Sequence, residues 1–185
     1  MTRPLTHGVL ALMLYAALLL ERSVLPWLSD AAAGVRLDLC LAVLVVAALA
    51  ARDGTDVHQE RGGVRGHQVV WWAVGLGVLR DLVAGAPAVG FDAVTLPVAA
   101  ASTLLLRRLA VDRGWLGTGL VLLLAGVAAA LVHAGLIAGR SLWIGGPSVR
   151  ALPGLWHQTW GAGLTAVVAT PPAVWWLERR PSRRR

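Results

Sequence analysis

"GLGVLRDLVAGAPAVGFDAV", Gly75–Val94, poses the question on which the fold turns. An apolar helical run meets an adjacent arginine and aspartate, Arg80 and Asp81. A segment broken by Gly85, Pro87 and Gly90 follows, and a second acid, Asp92, opens another apolar run. Proline removes a backbone donor and ends a helix, and glycine permits positive φ. The stretch therefore reads as a helix end, a break and a short returning helix, with charges gathered at the reversal.

Composition gives the medium. The 185 residues are 57% hydrophobic and 15% charged, against about 45–50% apolar and about 25% charged in soluble domains. Both departures point to an integral membrane protein. The length suits one bundle, residues 1–178, followed by a basic tail, 179–185. All 17 basic residues are arginine, which reads as coding bias rather than chemistry. The formal charge of +7 does not call for nucleic acid, because much of it lies in that tail. Beside a membrane span, such a tail marks the cytoplasmic side or touches anionic lipid. The single cysteine, Cys40, offers no internal disulfide.

A helix needs about 20 apolar residues to cross a hydrocarbon core of about 30 Å. Six candidate spans follow: Leu5–Leu25, Val35–Ala51, Val69–Val83, Phe91–Leu106, Trp115–Ala138 and Trp156–Leu177. The third and fourth are short. The first reads as a retained span rather than a cleaved leader, because its apolar run is long and ends in Glu21 and Arg22. Arginine sets the orientation. One side receives Arg3, Arg52, Arg61, Arg65, Arg107, Arg108, Arg113 and the tail; the other receives Arg22, Arg36, Arg80, Arg140 and Arg150. Both termini are therefore expected in the cytoplasm. The tryptophans fall at the expected span ends, as interfacial anchors do.

Under this topology Glu21, Arg22, Arg36, Asp38, Arg80, Asp81 and Asp92 share one level near the outer face. An ionised group at mid-bilayer costs about 2.5–3.5 kcal/mol, so such groups face the interior or water and pair. Adjacent helical residues point about 100° apart, so Asp81 is expected to face inward and Arg80 to reach outward or towards Asp38. Two readings stay open: a polar pocket or partner-docking site, and a satisfied network that fixes helix packing. Gly85–Gly90 is likewise either a tight turn or a re-entrant site. His133 is expected to bond a neighbouring helix. "AGVAAA", Ala125–Ala130, allows close helix approach. His58 and His67 lie in an inner loop without ligand spacing, and the outer segment Gly145–Gly154 reads as a turn-rich loop. No H-E-x-x-H, G-x-S-x-G, P-loop or cysteine cluster is present. The expectation is no catalytic residue, no metal and no cofactor: a protein that is not an enzyme.

"RLDLCLAVLVVAAL" (Arg36–Leu49), a charged loop, and "GLGVLRDLVAGAPAVGFDAVTLPVAA" (Gly75–Ala100) together resemble the MreD family of rod shape-determining proteins. That family opens its second span with arginine-proline-aspartate and carries a Gly-Leu-x-x-Asp-Leu segment before a Gly-x-Pro-x-Gly turn. On the resemblance, Asp38 matches the span-2 aspartate, Gly77 the glycine, Asp81 the span-3 aspartate, and Gly85, Pro87 and Gly90 the turn. The chain departs from the pattern with Leu37, with Val78, and with Gly90 one residue late. The likeness covers Arg36 to about Arg108. It implies a non-enzymatic scaffold in the bacterial cytoplasmic membrane, part of the cell-elongation machinery. Such a scaffold binds an MreC-like single-span protein. With it, the scaffold supports the wall-synthesising glycosyltransferase–transpeptidase pair, linked to the actin-like MreB. The family is similar in architecture to the six-helix substrate-binding subunits of energy-coupling-factor transporters. That similarity supplies a second expectation, a subunit binding a vitamin-like small molecule.

Overall fold

A computed structural model describes residues 5–23, 38–51, 63–84, 90–144 and 151–178. Helix is the regular structure throughout these residues: α1 (His7–Ser23), α2 (Leu39–Ala50), α3 (Gly66–Ala84), α4 (Phe91–Ile144) and α5 (Ala151–Glu178).

α2 is the centre. None of its side chains is exposed, and Cys40, Leu44, Val45 and Ala48 are inaccessible. Both of its ends are closed by side chains. At the start, Asp38 Oδ1 accepts from the Leu41 amide at 2.8 Å, the usual way a helix satisfies an orphan N–H. At the end, Ala51 turns to extended backbone, and Arg107 Nη1 donates to its carbonyl at 3.3 Å. With 12 residues, α2 is only about 18 Å long. The expected span Val35–Ala51 is thus shortened by the Asp38 cap; residues 35–37 lie outside the described ones.

α4 is an unbroken helical run of 54 residues, yet it is not one rod. The rings of Phe91 and His133 meet edge to face at 5.6 Å. In a straight helix those positions would lie about 63 Å apart. The run therefore reverses between them, around residues 107–115, and forms two antiparallel arms. The arms correspond to the expected spans Phe91–Leu106 and Trp115–Ala138. Arg107, Arg108 and Arg113 sit at the reversal, where the sequence placed an arginine-rich loop.

Two boundaries differ from the sequence expectation. α3 begins at Gly66 rather than Val69, because the Gln68 side-chain oxygen accepts from the Arg65 amide at 2.8 Å and starts the helix early. Its 19 residues give about 28 Å, close to a full crossing. Residues 151–154, read as loop, are the first turn of α5, where Pro153 is tolerated because early amides lack helical partners.

Small residues bring the second arm of α4 against α5. A Cβ on Gly126 would lie 2.6 Å from the Ala162 Cβ, and one on Gly119 would meet Thr170. The interior holds Leu10, Leu44, Leu96 and Val121, while Leu12, Leu82, Leu105, Leu116 and Val167 are more than 60% exposed. By length and apolarity, one described stretch qualifies alone as a membrane span, Trp115–Arg140. It coincides with the expected span Trp115–Ala138; among the described residues the other expected spans do not qualify. α1 and α2 are short, and α3 carries Arg80 and Asp81.

Gly77 fixes where α3 meets the start of α4. A Cβ there would sit 2.3 Å from the Asp92 carbonyl oxygen and 2.6 Å from the Ala93 Cα, both backbone. Gly163 has open space around it. Gly77→Ala should lower stability by about 1–3 kcal/mol through overpacking. Gly163→Ala should instead gain up to about 1 kcal/mol of helix propensity. Unfolding of the two variants in detergent reads the difference, and equal stabilities would contradict the close approach.

Candidate functional site: a charged hub at one end of the bundle

Of the charged residues expected at one level, Glu21, Arg22, Asp38, Arg80, Asp81 and Asp92 do converge, and Arg36 lies outside the described residues. Arg80, late in α3, is the hub. Its Nη1 donates to Asp38 Oδ2 at 2.9 Å, its Nε faces Asp92 Oδ2 at 3.3 Å, and its Nη2 lies 3.7 Å from Glu21 Oε2. One guanidinium thus addresses carboxylates from α1, from the cap of α2 and from α4. Arginine suits this because its donors fan out in a rigid plane and its charge is permanent. The Arg80 side chain retains 22% exposure, and Glu21 only 7%.

The carboxylates have second duties. Glu21 Oε1 accepts from the Cys40 amide at 2.7 Å, so the end of α1 helps cap α2. The Asp38 amide donates to the Thr165 hydroxyl of α5 at 3.0 Å. Arg22 Nη2 reaches the Arg80 carbonyl at 3.4 Å.

Asp81 is 3% exposed, and its carboxylate serves backbone amides. Its carboxylate accepts three backbone amides: Gly90 at 2.9 Å, Asp92 at 3.2 Å and Ala93 at 3.2 Å. These belong to the start of α4, where helical partners are missing. Asp81 is therefore an N-cap supplied by the preceding helix, and the negative charge also suits the positive end of the α4 dipole. Gly90 adopts φ 111°, a left-handed conformation that glycine takes without a Cβ clash.

Of the residues singled out from sequence, Asp38, Arg80, Asp81, Asp92, Gly77 and Gly90 meet within this one region. Gly85 and Pro87 lie outside the described residues, as does His58. His133 packs its ring on Phe91. Glu21 was expected at this level without being singled out as a site residue, and Thr165 escaped the sequence reading. Glu21 had no motif, and a count of carboxylates able to reach Arg80 would have singled it out. Thr165 carried no signal, since threonine is common in such helices. Among the described residues, no cluster of histidine, cysteine or carboxylate groups could hold a metal ion.

A cavity lies elsewhere. A groove of about 490 Å³ runs between α1 and α3, lined chiefly by Leu14, Leu18, Leu76 and Leu79, with His7 and Gln68 at one end. It reaches none of the hub's charged side chains. The hub itself is a closed set of ion pairs and caps: it can fix helix ends and present a charged rim, and its carboxylates are already engaged.

Compared with known proteins, the chain matches no family model, no curated protein and no solved structure. The likeness to the MreD family rests on the quoted motifs alone.

If Asp81 is the cap of α4, Asp81→Asn should keep part of the function through its remaining oxygen, and Asp81→Ala none. The alanine variant should lose about 2 kcal/mol or more, the upper end for a capping side chain, with asparagine between it and the native chain. Detergent unfolding of the three proteins measures the order; an alanine variant as stable as the native protein would contradict the role.

Proposed function

We propose that this chain is a multi-pass membrane scaffold of the bacterial cell-elongation machinery, non-enzymatic, with both termini in the cytoplasm. It would hold an MreC-like single-span protein and so support wall synthesis. The observation that carries the reading is the pairing of a lipid-like exterior with a partly buried, mutually paired charged hub. Large apolar side chains face outward on α1, α3, α4 and α5: Leu12, Leu82, Leu105 and Val167 among them. Water would disfavour such a surface at about 25 cal/mol per Å² of apolar area, and a bilayer would not. Charges inside a membrane protein pair and face inward, as the Arg80 set does.

Two further points support a scaffold over a transport subunit. The residues that the MreD likeness singles out act on architecture: Asp38 and Asp81 cap helices, and Gly77 permits a backbone contact. Ligand pockets place several convergent polar groups in an apolar cleft, whereas the described groove is lined mainly by apolar and aromatic side chains.

The test is co-purification of the full chain, tagged, with the MreC-like protein from the same cells. The reading expects the chain in the membrane fraction after an alkaline wash, and the partner retained through detergent purification. Membrane location without the partner would overturn the scaffold role. A soluble chain would overturn the whole reading.

A further inference from the structure

α5 runs through two consecutive prolines, Pro171 and Pro172, well inside its 28 residues. Proline has no N–H, so the bonds that would fall on the Val167 and Val168 carbonyls, four residues earlier, are missing. Pro153, in the first turn of the same helix, has no such effect, because early amides lack helical partners in any case. A neighbouring hydroxyl can satisfy a freed carbonyl. Thr170, the hydroxyl at hand, donates to the Ala166 carbonyl instead. Among the described residues, no side chain donates to Val167 or Val168.

Both carbonyls open outward. Val167 is 70% exposed and Val168 53%. A helical carbonyl points towards the residue four places on, here Pro171 and Pro172, both exposed. With Leu164 and Trp175 these residues recur at the i, i+3, i+4, i+7 spacing of a single helix face. α4 packs on the opposite side of α5, at the buried Ala162 and Thr170. Within the expected span Trp156–Leu177, Val167 lies about 15 Å from either end, at mid-depth.

Hydrogen-bonding chemistry chooses the occupant. Acyl chains carry no donor, and a spanning structure must satisfy its backbone groups. A second copy does not meet the need. Two copies share one orientation in a bilayer, so their α5 faces would meet about a two-fold axis. Each would offer the other only valine, leucine and proline at this depth, with the Trp175 indole about 10 Å further along the helix. Serine, threonine, asparagine and glutamine do bond across membrane helices.

We propose that the Leu164–Trp175 face of α5 docks the single membrane span of the partner protein, which sets one of these four side chains at mid-depth as the donor to the Val167 and Val168 carbonyls. The site rests on the scaffold reading above and names the surface that reading needs.

Pro171→Ala combined with Pro172→Ala tests it, because the two restored amides satisfy both carbonyls within α5. The tagged full chain is co-expressed with the MreC-like protein and purified in mild detergent. The native chain should retain the partner. The double variant should retain it about threefold to tenfold less, the effect of one or two lost interhelical hydrogen bonds. Alone, the double variant should unfold at a temperature no lower than the native chain, since alanine suits a helix interior better than proline; a lower temperature would contradict the freed carbonyls. Independently, a photo-crosslinking phenylalanine analogue at Val168 should capture the partner's span in cells, and one at Leu12, exposed on α1, should not. Equal retention by the double variant, or no capture from Val168, would overturn the site while leaving the scaffold reading standing. A cross-link from Val168 to a second copy, or within the chain itself, would overturn it too. A native chain that retains no partner would overturn both.

Discussion

One guanidinium facing three carboxylates is the interaction on which the rest depends. Arg80 draws together the end of α1, the cap of α2 and the start of α4. Each carboxylate or its neighbour then closes a helix end. Glu21 takes the Cys40 amide, Asp38 takes the Leu41 amide, and Asp81, next to Arg80, takes the first amides of α4. These bonds give orphan N–H groups at the helix ends the partners that intrahelical bonding leaves missing. The charges are therefore the means by which short helices end inside the bundle. Removing one member of such a set leaves the others buried without compensation, which costs more than the pair itself contributes.

Much of this was legible in the sequence, and for identifiable reasons. The apolar runs gave the helices, because nothing else satisfies backbone groups in a hydrophobic chain. The depth of Arg80 and its neighbours gave the hub, because charges at one level must find each other. The 100° rule separated Arg80 from Asp81. What was not legible is equally physical. The shortness of α2 follows from Asp38 acting as a cap, which motif reading took as a family marker. The early start of α3 follows from a local Gln68 bond that hydropathy does not register. The continuity of α4 through its reversal arises because Arg107–Trp115 keeps helical backbone where an arginine-rich loop was expected. Glu21 joined the hub through tertiary placement, and Thr165 through a contact with Asp38 from 127 residues away.

Two features divide the molecule. At the hub end, donors and acceptors satisfy one another. At the opposite end, an apolar groove between α1 and α3 has no charged residue among its lining residues. The first arrangement suits a rigid frame.

The central claim, that Arg80 and its carboxylates act as one unit, is tested most directly by a double-mutant cycle. Arg80→Met, Asp38→Asn and the double variant are unfolded in detergent beside the native chain. The account predicts that the two changes are strongly non-additive, with a coupling in the upper part of the range of about 0.5–3 kcal/mol seen for residues in direct contact. Additive losses would mean that the hub does not hold the helices together.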